Sequence, residues 1–244
     1  MIPFADENPT RTLPVVVFAL IAANVVVLLY QLSLPPSALQ AFISTWAAVP
    51  AKITHGAPVA PGLPYPAWIT ILTSMFMHGG LLHLGGNMLY LWIFGNNIED
   101  ALGHVRFLFF YLLCGVLAMA AQVLVAPGAG VPALGASGAI AGVLGAYAVR
   151  YPRARVLTLL LLFPFLIRVV RLPALWVLGF WFVLQLIPGA LSLGFHQAGG
   201  IAYFAHIGGF LAGCLLIRVF LPLPRRPRPS HPGYPDQAAR LPPA

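Results

Sequence analysis

The sequence predicts an all-α polytopic membrane protein: a six-transmembrane-helix bundle with a short, central helix that bears Ser137. Three observations predict it. The chain has 244 residues, 60% of them hydrophobic and only 7% charged, whereas soluble domains carry roughly 25% charged residues. Long apolar segments recur, separated by clusters of Pro, Gly and Arg. The cations are sorted by loop, as membrane topology requires.

The first span is Leu13–Leu32. The segment before it, residues 1–12, holds Asp6, Glu7 and Arg11. That is not the basic start of a cleaved signal peptide, so the first span is expected to be retained. A loop of about 45 residues follows, rich in Pro, Ala and aromatics. Span two is Leu81–Ile98, closed by Glu99 and Asp100. Span three is Phe107–Ala126, ended by Pro127, Gly128 and Gly130. Span four is Ser137–Val149, closed by Arg150, Pro152, Arg153 and Arg155. Spans five and six are Pro173–Ile187 and Ile201–Ile217, the last closed by Arg218. Residues 13–220 thus form one membrane domain. Residues 221–244 form a Pro/Arg-rich tail that reads as disordered. Its Arg225, Arg226 and Arg228 have the composition of an ordinary inner-side anchor, in reach of lipid head groups.

The stretch Val156–Ile167 is apolar but short, broken by Pro164 and flanked by Arg155 and Arg168. About 10–14 apolar residues suit an interfacial or re-entrant segment better than a span. Charge supports that count. With six spans and both termini inside, twelve of the thirteen cations lie inside, and the outer loops hold only Lys52. The net charge of +8 forms no single basic run, so the partner it implies is the lipid bilayer and not nucleic acid. Cys114 and Cys214 both lie in apolar segments and read as packing residues.

Strongly polar side chains in lipid are costly and mark functional sites by default. His78, His83, Asn87, Ser137 and His206 are such residues. Asn87 lies twelve residues before Glu99, Ser137 thirteen before Arg150, and His206 twelve before Arg218. At 1.5 Å per residue each group sits about 18–20 Å above the inner charge layer, hence about 10 Å beneath the outer surface of a 30 Å core. His83 is one turn above Asn87 on the same face. Span four is too short to cross and must begin inside the membrane, at Gly135-Ala136-Ser137-Gly138. Irregular backbone at depth requires burial in protein or a water-filled cavity. A cavity opening outward, with Ser137 at its floor, meets that requirement.

A serine needs an adjacent base, and His206 is the candidate. Gly138 and Gly142 on one helix and Gly209 and Gly213 on the other let the helices approach closely. No carboxylate is placed to orient the histidine, because Asp6, Glu7, Glu99, Asp100 and Asp236 are all assigned to the inner side; the unit is a dyad. The same inventory excludes an intramembrane aspartyl protease, and no His-Glu-x-x-His pattern supports a zinc protease. Neither a metal nor a cofactor is implied. Asn87, His83 and the Ser137 backbone N–H are candidate oxyanion donors. His78 is expected to shape the outer rim or hold water. Taken singly, each residue has a plainer reading: Asn87 as interhelical glue, His206 as a packing contact, His83 as an interface residue. His196 is a weaker rival base in the outer loop. His55 and His104 read as surface residues, and Tyr90, Trp92, Trp176 and Trp181 as lipid-facing or interfacial.

The combination of His78…His83-Leu84-Gly85-Gly86-Asn87, Gly135-Ala136-Ser137-Gly138 and Ala205-His206-Ile207-Gly208-Gly209 with Gly213 resembles the rhomboid family of intramembrane serine proteases. The resemblance implies Ser137 as nucleophile, His206 as general base, His83 and Asn87 as oxyanion-hole residues, and Gly135 as shaper of the serine loop. It implies cleavage of single-span transmembrane substrates near the outer surface, with span five and the loop Gly189–Gly200 as gate and cap. A bacterial inner membrane rather than an organelle is the expected location, because the short N-terminus shows no transit-peptide pattern. Two departures stand out. The Trp-Arg pair that many members carry in the first loop is absent, leaving Lys52 as its only cation. The Tyr that in some members stacks on the histidine is replaced by Ala141. A non-proteolytic, client-binding relative is the alternative, though such relatives lack the serine or histidine that this chain keeps. A histidine-lined channel or metal transporter is a third reading, in which Ser137 would be incidental.

Overall fold

The computed structural model describes residues 1–162, 166–192 and 202–222. Strand β1 (Ile2–Asp6) precedes α1 (Val15–Ser33), α2 (Pro36–Trp46), α3 (Pro50–Thr54) and α4 (Thr70–Thr73). Next, α5 (Leu81–Tyr90), a π-helical turn (Leu91–Gly95) and α6 (Asn96–Leu102) follow one another without a break. Then come α7 (His104–Val125), α8 (Ser137–Arg150), strands β2 (Arg155–Leu162) and β3 (Leu166–Pro173), α9 (Ala174–Ser192) and α10 (Tyr203–Phe220). Among the described residues four helices, α1, α7, α9 and α10, are long and apolar enough to cross a membrane. The pair Ala67–Phe76 and Leu81–Leu102, bent by 83°, makes a fifth candidate. The protein is a multi-pass, mostly helical membrane protein.

Helix α8 is the most enclosed: every residue from Ala139 to Ala148 is buried. Its fourteen residues span only about 21 Å at 1.5 Å each. Small residues make its burial possible. A Cβ on Gly209 would overlap the carbonyl oxygen of Gly138, and one on Gly213 that of Gly142. A Cβ on Gly142 would strike Cys114 of α7. The two contacts between α8 and α10 share one sequence offset, so these helices run parallel. A single crossing, α9, therefore separates them.

The far end of α8 is polar. The Glu99 carboxylate accepts hydrogen bonds from the backbone N–H groups of Val16 (2.9 Å) and Val17 (2.8 Å). Asp100 accepts from the Thr12 N–H at 2.9 Å and its hydroxyl at 2.6 Å. The first turn of α1 is thereby capped by acids, which its orphan N–H groups and dipole favour. Asp6 accepts from the Tyr147 hydroxyl at 2.6 Å, and Glu7 from Arg171 Nε at 2.6 Å. Four of the acids assigned to the inner side thus gather at one end of the bundle.

One expectation needs correction. The chain is not all-α: β1, β2 and β3 form a three-stranded antiparallel sheet. The apolar stretch Val156–Ile167, expected to be interfacial or re-entrant and not a span, lies in its described residues on the paired strands β2 and β3. An unbroken apolar run reads alike as a buried strand or a helical segment. Pairing on both sides satisfies the β2 backbone, as any segment near lipid requires. The first loop is ordered around Lys52, whose ammonium donates to the carbonyls of Ser44 (2.8 Å) and Val59 (3.2 Å). That cation ties α2 to the Val59 turn where the Trp-Arg pair is missing. Of the expected cap loop Gly189–Gly200, residues 189–192 belong to the end of α9, and the remainder, His196 and nearly all of the tail lie outside the described residues.

Candidate active site

Ser137 opens α8 directly after Gly135 and Ala136. Gly135 has φ +126°, a region that side chains avoid, and its N–H donates to the Ser74 carbonyl at 2.9 Å. A Cβ there would stand 2.9 Å from His83 Cε1 and 3.0 Å from His83 Nε2. The turn that presents the serine is thus moulded against the His83 ring.

His206 enters from the first turn of α10. Its Nε2 lies 2.7 Å from Ser137 Oγ. Its Nδ1 lies 2.8 Å from Gln185 Oε1 on α9. The Trp181 ring, one turn before Gln185, is 6.0 Å from the imidazole, tilted by 40°. Gln185 is not singled out by the sequence. Trp181, expected to be lipid-facing or interfacial, faces the imidazole instead, where it supplies the aromatic neighbour that Ala141 does not. Tyr90 is corrected likewise, because it lines the cavity. Trp92 and Trp176 are exposed, at 45% and 73%.

His83 Nδ1 accepts the Gly79 N–H at 3.3 Å. An accepting Nδ1 leaves the proton on Nε2, the atom that borders Gly135. Asn87 is buried, and its Nδ2 donates to the His83 carbonyl at 3.0 Å. One of its two amide hydrogens is thereby used and the other is left over. His78, expected to shape the outer rim or hold water, is enclosed by protein. It is 1% exposed, edge-on to His83 with ring centroids 5.1 Å apart. Its backbone N–H donates to Gln31 Oε1 at 3.0 Å, and its carbonyl accepts from Gln31 Nε2 at 3.1 Å. That clasp ties α1 to the start of α5.

An open cavity of about 1440 Å³ is lined by His83, Asn87, Ser137, Trp181, Gln185 and His206, among others. No acid lines it. His55 is exposed. His104 is exposed too, its Nδ1 sits 2.5 Å from Glu99 Oε1, and neither residue lines the cavity. Among the described residues no cluster of His, Cys, Asp or Glu could hold a metal ion. The arrangement supplies a hydroxyl, an imidazole, unspent N–H donors and a route for water. Those are the parts of acyl transfer.

A family model described as Rhomboid domain matches residues 65–223. The chain is 36% identical to Rhomboid protein 1, mitochondrial, of Saccharomyces cerevisiae over 158 residues, 60% of this chain and 40% of that protein. It is 42% identical to Rhomboid protease GluP of Bacillus subtilis over 79 residues, 32% of this chain and 15% of that protein. It is 30% identical to Rhomboid-like protein 11, chloroplastic, of Arabidopsis thaliana over 156 residues, 63% of this chain and 52% of that protein. Each match spans about half or less of the relative's own length.

Proposed function

This chain belongs to the rhomboid family, and from that premise we propose that it is an intramembrane serine endopeptidase acting through a Ser137–His206 dyad. The observation that carries the reading is the 2.7 Å separation of Ser137 Oγ and His206 Nε2, inside the range for a nucleophile and its base. In the proposed reaction His206 Nε2 takes the Ser137 proton as Oγ attacks the scissile carbonyl. The oxyanion that forms is met by the free amide hydrogen of Asn87, by His83 Nε2–H and by the Ser137 N–H at the α8 N-terminus. His206 then gives its proton to the leaving amine. A water entering from the cavity, deprotonated by the same Nε2, hydrolyses the acyl-enzyme and restores both groups.

The substrate class we propose is a single-span membrane protein, because the site lies within a bilayer-spanning bundle and a substrate helix must unwind to reach Ser137. Six crossings are proposed, counting the short α8 and the bent segment that includes α5. The parallel course of α8 and α10 supports that count. The gathering of Asp6, Glu7, Glu99 and Asp100 with the arginines at one end supports an inner side there, with the cavity opening outward. A bacterial inner membrane is the proposed location. Cleavage of a reporter transmembrane helix in liposomes tests the reading: wild type cleaves and Ser137→Ala does not. Equal cleavage by both removes Ser137 from the mechanism. Binding of the helix without cleavage by either favours a client-binding role.

A further inference from the structure

The geometry points to Gln185 as the positioning residue for His206, an inference that rests on the proposed dyad. The direction of the Gln185 amide follows from its neighbours. Gln185 Nε2 donates to the Trp181 carbonyl one turn earlier, at 3.4 Å. Its Oε1 therefore faces His206 Nδ1, 2.8 Å away. A carbonyl oxygen only accepts, so Nδ1 must carry the proton. Nε2 is then bare and accepts, and the Ser137 hydroxyl must donate to it. Three groups on three helices thus form a line of hydrogen bonds with a single polarity, and that polarity is the one a general base requires.

Nothing else among the described residues can set it. Asp6, Glu7, Glu99 and Asp100 have partners of their own at the opposite end. Gln185 takes the orienting place of a triad carboxylate with no buried charge to solvate. Being neutral, it fixes the tautomer and the ring without the charge stabilisation that a carboxylate gives to imidazolium.

Helix α9 is suited to this task and conditional in it. Trp181, Gln185 and Gly189, spaced four apart, turn inward, while Val183, Leu184, Leu186 and Ile187 are exposed. Phe182 stacks on Phe210 of α10 at 4.5 Å. Pro188, inside α9, withholds a backbone donor from the turn that carries Gln185. The base is aligned only while α9 is seated, since one helix brings both the acceptor and the aromatic neighbour.

The test uses the full-length protein, a reporter transmembrane helix in liposomes, and the variants Gln185→Leu and Gln185→Glu. In Gln185→Leu, kcat falls at least about tenfold while KM and the unfolding temperature stay near wild type, because tautomer and ring orientation act on the chemical step. Gln185→Glu keeps an acceptor, so its kcat stays within about threefold of wild type, and the acidic limb of its pH–rate profile moves to higher pH, as a carboxylate beside an imidazole requires. A purely structural role for Gln185 would not move that limb. Wild-type kcat in Gln185→Leu overturns the assignment, and so does a folded Gln185→Glu that loses as much rate as Gln185→Leu or shows an unmoved limb. Should Gln185→Leu fail to fold, the pH profile of Gln185→Glu decides by itself. A wild type that does not cleave, or a Ser137→Ala variant that does, removes the parent reading instead.

Discussion

The ring of His83 occupies the space that a side chain at Gly135 would need: a Cβ at residue 135 would stand 2.9 Å from His83 Cε1. The glycine is demanded twice, once by its φ of +126° and once by the imidazole beside it. Gly135→Ala must therefore displace either the serine turn or the His83 donor. A rate loss of about 10²-fold or more is expected, the scale of losing one oxyanion donor, in a protein that still folds. Reporter cleavage measured beside thermal unfolding in detergent checks it; an unchanged rate contradicts it.

Gly213→Ala should cost stability. Its new methyl would overlap the Gly142 carbonyl, and a helix backbone cannot yield as a side chain does. Overpacking typically costs about 1–3 kcal/mol, and a backbone clash belongs at the upper end. Gly128→Ala is the control, because nothing lies within 4 Å of its Cβ position. Thermal unfolding of both variants separates packing from a general intolerance of alanine.

Asn87→Ala should lower kcat by about 10²-fold with KM little changed, as for loss of one preorganised donor. The amide holds only the His83 carbonyl of its own helix, so the fold should survive. Steady-state kinetics on the reporter helix check the split. A fall in folding yield with normal kcat would make Asn87 structural.

Stability should depend on pH through Asp6. Burial raises its carboxyl above the ordinary value of 3.8, outweighing the hydrogen bonds from Tyr147 and Asn97 that act to lower it. The folded chain therefore holds this proton to higher pH than the unfolded chain does. Its contribution is full at low pH and is lost as pH rises through the folded value. Measured against Asp6→Asn, which does not titrate, the wild type should lose relative stability from about pH 4 upward. Unfolding temperatures of both proteins across that range test the sign, and a constant difference contradicts it.

Much of this architecture is legible in the sequence, for definite reasons. Glu99, Arg150 and Arg218 each follow an apolar segment, and counting back twelve or thirteen residues from them reaches Asn87, Ser137 and His206. The structure brings those three residues to one cavity. The spacing of Gly138, Gly142, Gly209 and Gly213 announces the close approach of α8 and α10. The hairpin from Arg155 to Pro173 is not legible, because Leu157–Leu162 carries no period that separates strand from helix. Gln185 is missed for another reason. An amide in an apolar helix reads as interhelical glue, and a search for a carboxylate near His206 passes over a neutral acceptor. Only contact between α9 and α10 makes its role visible, and contact is what a linear pattern omits.

The central claim is that Ser137 is made nucleophilic by His206. Labelling with a fluorophosphonate, followed by mass spectrometry of the intact protein and its peptides, tests it most directly. Wild type should carry one phosphonyl adduct, on Ser137, and His206→Ala should acquire it far more slowly while remaining folded. An adduct that forms at the same rate without His206, or a folded wild type in which Ser137 stays unlabelled, would contradict the account.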